Sequence, residues 1–396
     1  MINTPEQMKQ GRTQSFIYFT VMFGLGAVMV SLGPVLPHLA AQTGTDLGTI
    51  GLIFSLRSIG FLLGSLAGGR IYDRFPAHPL FAGALLVMAA TFAATPLIHI
   101  FWLLLLFTLL SGIASGLLIV GCNTLLVWVH PENVGPWMNA MSFFNGMGGF
   151  FVPIIITAFL TRTGDIRGAF FALGLMLAAL AAVMLLIPSP VIRKTTESSD
   201  SSGRIRFGMV SLFALVFLFY VGAEMSFSGW LYTFTVAVHP NATATAALLT
   251  SAFWAGIAGG RLLAIPVSSR MRARTILWID FLGSLASLGI ILAFSSSLVA
   301  LWIGSIGFGL FMASLFPTWL TFADRRIKVN GKINGIFFAA TAVGTMFFPW
   351  LSGLLFVSSG PRATMWVIFI VLSAAAVIFA AMTGLVRSRD NRDSAE

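Results

Sequence analysis

Four ionisable side chains interrupt long apolar stretches of this sequence: Arg57, Glu224, Arg261 and Asp280. An ionised group in hydrocarbon costs roughly 2.5–3.5 kcal/mol on insertion scales, so each is a candidate for handling an ion or a polar solute. Glu224 falls near the middle of its apolar block. A carboxyl group there can load and unload a proton, or ligate a cation with help from Gly222, Ser226 and Ser228. The competing reading is a neutral Glu hydrogen-bonded to another helix. Arg57 lies at similar depth, and its planar guanidinium can grip carboxylates, phosphates or sugar hydroxyls as a substrate or gating contact. Otherwise it clamps backbone or pairs with an acid, and a switchable Arg57–Glu224 pair is one such arrangement. Arg261 and Asp280 fall near block ends, where snorkelling or a gating ion pair is expected.

Uncharged polar groups add to the candidate substrate site. Asn123 and Asn145 each offer two donors and an acceptor, which suits a hydroxyl-rich ligand, with interhelical hydrogen bonding as the alternative. Trp230 and Trp254 could wall a cavity, and Thr318 stands beside Pro317, whose missing N–H loosens a helix. The five histidines have no paired metal-ligand spacing, and there is no phosphate-binding Gly-x-x-x-x-Gly-Lys-[Ser/Thr] loop. No nucleophile, base and orienting residue recur together. A non-enzyme without cofactor or metal is expected.

The elements that position these residues follow from composition. The chain has 396 residues, 57% hydrophobic and only 9% charged, whereas a soluble domain carries about 25% charged residues. The apolar residues run in continuous blocks, which excludes the alternation of a transmembrane barrel. The expected fold is an all-α polytopic membrane protein with twelve transmembrane helices. The blocks read 16–41, 47–70, 79–97, 101–128, 135–161, 167–187, 207–236, 244–267, 275–295, 298–322, 332–357 and 363–386. Of the 23 Lys and Arg, the great majority fall in alternate loops and at the two ends of the chain. The positive-inside rule then places both termini in the cytoplasm of a plasma membrane, expected to be a bacterial inner membrane. The net charge of +10 is dispersed over these loops, so a nucleic-acid face is not expected. The single cysteine, Cys122, excludes an intramolecular disulfide.

The polar stretch 188–206, containing TTESSDSSGR, reads as a cytoplasmic linker between six-helix halves at 1–187 and 207–396. Repeats support the division. Gly68-Gly69-Arg70 recurs as Gly259-Gly260-Arg261, and Met138-Asn139-Ala140 with Phe143-Phe144 and Pro153 recurs as Ile333-Asn334-Gly335 with Phe337-Phe338 and Pro349. Repeated halves put a substrate site near the midplane at their interface.

GGRIYDR, at Gly68 to Arg74 after the second block, resembles the Gly-x-x-x-Asp-Arg loop of the major facilitator superfamily, with Gly69, Asp73 and Arg74 fitting its core. The resemblance implies that Asp73 and Arg74 form a gating latch at a cytoplasmic helix end. GCNTLL at Gly121 to Leu126, MNAMSFFNGMGG at Met138 to Gly149, YVGAEMSFSGWLYTF at Tyr220 to Phe234 and SLFPTWL at Ser314 to Leu320 resemble the fucose/glucose–cation symporters and sodium-dependent glucose transporters. Where the fucose symporter has acids in its first and fourth spans, this chain has none in the first and Asn123 in the fourth. The resemblance implies a monomeric secondary transporter in the lipid bilayer, moving a small solute such as a sugar with H⁺ or Na⁺. Proton-coupled export of amphipathic compounds is the alternative, and a non-transporting membrane sensor is a third class.

Overall fold

The computed structural model describes residues 5–72, 74–130, 134–189, 207–327 and 331–393. Hydrocarbon offers no partner for backbone N–H and C=O groups, so a chain this apolar must satisfy them within helices. Among the described residues, twelve helices are long and apolar enough to cross a membrane, as the sequence predicts. They are α1 (Gly11–Thr43), α2 (Leu47–Tyr72), α3 (Ala77–Leu97), α4 (Phe101–Val129), α5 (Val134–Thr163) and α6 (Arg167–Leu186). The second set is α7 (Gly208–Val238), α8 (Thr243–Ser268), α9 (Ala273–Ala293), α10 (Leu298–Ile327), α11 (Ile333–Ser359) and α12 (Pro361–Thr383). The α10 helix is broken at Ala313 and Ser314. The tight α1–α2 turn uses Gly44 at φ 63°. It leads into Asp46, whose carboxylate accepts from the N–H groups of Gly48 and Thr49 at 2.7 and 3.0 Å. The Thr49 hydroxyl and these amides hold the Asp46 carboxyl below the usual carboxylate range.

Helix pairing repeats between the two sets. Within the first six helices α1 packs on α5, α2 on α4 and α3 on α6; within the last six, α7 packs on α11, α8 on α10 and α9 on α12. Glycines set the closest approaches. A Cβ on Gly60 or Gly64 of α2 would overlap carbonyl oxygens of Leu109 and Ile113 in α4, and one on Gly260 of α8 would overlap that of Leu310 in α10. Gly148 meets the Phe23 carbonyl as Gly344 meets that of Leu218. In this correspondence Gly64 matches Gly260, so Gly68 lies opposite Ala264. The Gly-Gly-Arg recurrence seen in the sequence therefore joins positions about a turn out of step, whereas Pro153 and Pro349 do correspond.

Because the helices alternate in direction, the described chain begins and ends on one face of the bundle. We call this the terminal face and the opposite one the far face. The two sets of helices touch through α1–α7, α2–α11 and α5–α8. Toward the far face the contact is tight. A Cβ on Gly33 would lie 3.0 Å from the Gly229 carbonyl oxygen, one on Gly48 would lie 3.4 Å from that of Gly353, and Ser55 Oγ donates to the Met346 carbonyl at 2.7 Å. Toward the terminal face the sets part.

Candidate functional site

The parting leaves a cavity of about 520 Å³ at the terminal face, between the start of α5 and the ends of α8 and α10. Its size falls within the roughly 300–1,000 Å³ usual for small-molecule sites. Three helices supply polar groups at helical spacing: Asn139 and Ser142 from α5, Arg261 and Ser268 from α8, and Thr318, Thr321 and Arg325 from α10. Positions three and four apart share a face, so the polar stripe 318–321–325 turns inward as a unit. Phe143, Leu262, Ile265 and Phe316 form apolar parts of the wall. The part of α10 that follows the break at Ala313 and Ser314 contributes Phe316, Thr318, Thr321 and Arg325 to the walls. The arrangement presents hydroxyl, amide and guanidinium donors to a polar solute and apolar surface to its carbon faces.

Behind the wall, Glu224 of α7 is half-buried and makes no hydrogen bond or ion pair among the described residues. Arg261 is the charge that acts on it electrostatically, together with the buried and unpartnered Tyr220 hydroxyl. A cation or proton can therefore meet Glu224 without first breaking a salt bridge. No group of three or more His, Cys, Asp or Glu suited to a metal occurs among the described residues.

The sequence candidates distribute unevenly around this cavity. Arg261 and Thr318 line it, and Glu224 lies within electrostatic reach of Arg261. Asn145 instead donates to the Met22 carbonyl at 3.2 Å, in the α1–α5 contact. Asn123 is exposed on α4 and turns its amide back to the Ile119 carbonyl at 2.7 Å. Trp230 and Trp254 are buried rather than cavity-lining in this conformation. Trp230 donates to the Pro349 carbonyl at 2.8 Å and faces Phe54. Trp254 donates to Ser228 Oγ at 3.1 Å, and its ring closes on Gly149 across the α5–α8 contact.

Three further charged candidates lie away from the cavity or without an ion pair in this conformation. Arg57 does not pair with Glu224; it lies among α1, α3, α4 and α6 and donates to the Met29 carbonyl at 2.6 Å. Asp280 is buried and accepts a hydrogen bond from Ser314 at the α10 break, so it forms no ion pair with Arg261. Arg74 is exposed in a turn and makes no ion pair among the described residues; Asp73 lies outside them. Sequence reasoning also passed over Asn139, Ser142, Thr321 and Arg325. The recurrence of polar residues every three or four positions in α5 and α10 is the signal that would have found them.

Comparison with known proteins fits this architecture. The Major Facilitator Superfamily profile matches residues 15–341. Sodium-dependent glucose transporter 1A of Mus musculus is 25% identical over 374 residues, covering 85% of this chain and 88% of its own length. Among solved structures, the nucleoside transporter NupG (D323A mutant) superposes with a TM-score of 0.77 at 14% identity, covering 96% of this chain and 99% of its own. The xylose transporter XylE from E. coli, in an inward open conformation, gives a TM-score of 0.76 at 13% identity, covering 93% and 95%.

Proposed function

This chain belongs to the Major Facilitator Superfamily, and from its membership as a multi-pass membrane transporter we propose that it carries a sugar or a related polar solute, coupled to Na⁺ or H⁺. The observation that carries the proposal is the polar cavity between the two sets of helices, open at the terminal face and closed at the far face. Asn139, Ser142, Thr318 and Thr321 contact substrate hydroxyls, Arg261 links the substrate to Glu224, and Glu224 binds the coupling ion. Two six-helix halves, 1–187 and 207–396, joined by 188–206, rock about the α1–α7, α2–α11 and α5–α8 contacts to expose the site alternately. The mouse relative, a sodium-dependent glucose transporter, favours sodium over protons and glucose over other solutes. The charge bias of the loops supports a cytoplasmic terminal face, and on that reading this conformation faces inward. The protein works as a monomer in a plasma membrane, a bacterial inner membrane by this reading.

The test is uptake of labelled glucose into proteoliposomes under an inward sodium gradient, with an imposed pH gradient in parallel. Accumulation above equilibrium under one gradient, abolished by its ionophore, supports the reading. Saturable binding limited to lipophilic compounds would overturn it in favour of export, the second reading, which the Phe143, Leu262, Ile265 and Phe316 wall supports.

A further inference from the structure

A second, much smaller cavity lies wholly within the first six helices. Its volume is about 20 Å³, and Arg57, Thr95, Thr108, Ser111, Phe92 and Phe107 are among its walls. A single water-sized particle needs about 10–15 Å³, so the space admits one particle and no sugar.

The donors facing this space are unevenly committed. Thr95 and Thr108 spend their hydroxyl hydrogens on the Thr91 and Leu104 carbonyls at 2.8 and 2.7 Å. Ser111 is 5% exposed, and its hydroxyl has no partner. Arg57 uses one nitrogen, Nη1, on the Met29 carbonyl at 2.6 Å and the Val28 carbonyl at 3.5 Å. A guanidinium has five N–H donors, so several stay uncommitted. No carboxylate lines the cavity, and Arg57 makes no ion pair among the described residues. The positive charge inside the bundle thus has no protein counter-ion, which in low dielectric is expensive. A free donor hydroxyl, an uncompensated cation and a one-particle space occur together.

From this juxtaposition we infer that Arg57 and Ser111 bind one small monovalent anion, of chloride's size, inside the first six helices. The anion neutralises Arg57 and joins α2 to α4 beside the glycine contacts of Gly60 and Gly112. It is structural and separate from the substrate cavity.

The experiment is a thermal-unfolding titration of purified full-length protein with sodium chloride against sodium gluconate, at matched sodium and ionic strength. Bromide should replace chloride, and sulfate should fail because it does not fit. The melting midpoint should rise with chloride in a saturable manner. Ser111→Ala should raise the chloride concentration at half-effect about tenfold or more, as loss of a hydrogen bond to a charge predicts. Arg57→Gln should abolish the response. Equal midpoints in chloride and gluconate would overturn the inference and leave a single water in the space. A response shared by sulfate, or kept in full by Ser111→Ala, would overturn it equally.

Discussion

Gly229 of α7 packs on Gly33 of α1 and against the Phe54 ring of α2 near the far face, and valine there should drive the transporter out of the conformation described. A Cβ at this position lies 2.9 Å from Phe54 Cζ and 3.1 Å from Cε1. Phe54 has little room to retreat: it is 4% exposed and packs on Trp230 at a centroid distance of 6.4 Å. Trp230 is held by its hydrogen bond to Pro349 and by Gly353, where a Cβ would come within 2.7 Å of the ring. Overpacking a fitted contact costs about 1–3 kcal/mol. Valine also relieves the helix penalty of glycine, but that gain is common to every conformation and cancels from their ratio. The overlap exists only while the two sets of helices meet at the far face. The ratio therefore moves about 5- to 150-fold toward the state opened there. Cys122 is buried, so an introduced cysteine can report by maleimide labelling. Ser55→Cys reads the far-face contact, where Ser55 is 7% exposed, and Thr321→Cys reads the cavity. Adding Gly229→Val should speed labelling at Ser55→Cys by a factor in that range, and slow it at Thr321→Cys once the other state dominates. Unchanged labelling at both positions in a monodisperse protein would refute the argument.

Glu224→Gln keeps the side chain's shape but removes its charge; it should retain solute counterflow in proteoliposomes and lose gradient-driven accumulation, and normal accumulation would move the coupling site elsewhere. Ser314→Ala leaves the buried Asp280 carboxylate without its partner, so the melting midpoint should fall by an amount equivalent to about 1–3 kcal/mol; no loss would mean that water replaces the hydroxyl there. His130 stacks on Trp137 at 4.0 Å and bonds Ser15 Oγ at 2.7 Å, and burial pushes its imidazole down from the usual histidine range. The unfolded chain then takes up this proton before the fold does, so stability should fall as pH drops below about 6.5 and level off below the depressed value. His130→Gln should lessen the fall of the melting midpoint between pH 8 and 5, and an identical profile in both proteins would contradict the shift.

The spans were legible because hydrocarbon leaves an apolar chain one local solution. The α4 helix, for example, runs Phe101–Val129 where the apolar block read 101–128. Depth was legible too: Arg57 and Glu224 do lie well inside their helices. Rotation about the helix axis was not. Whether Arg57 faces the terminal-face cavity or the interior of its own six-helix set depends on where Gly60, Gly64, Gly112 and Gly116 let backbones touch, and a single apolar helix has no polar face to declare this. The same ambiguity hid Ser142 and Thr321. They became visible only once α5 and α10 were oriented. The Asp280–Ser314 contact was hidden because it joins α9 to the break in α10, which Pro317 marks in the sequence without saying which residue packs there.

The glycine contacts also sort the molecule by stiffness. Within a six-helix set, α2 with α4 and α8 with α10 are locked backbone to backbone, with no side chain between them to change rotamer. Between the sets, α5 and α8 meet at the cavity end more loosely, a Cβ on Gly146 clearing Ala258 by 3.8 Å. On the proposed rocking motion, displacement at the terminal face would concentrate at this α5–α8 joint rather than within either six-helix set. A bulky residue inside a set should jam folding itself, whereas one at the joint should merely retime the stroke.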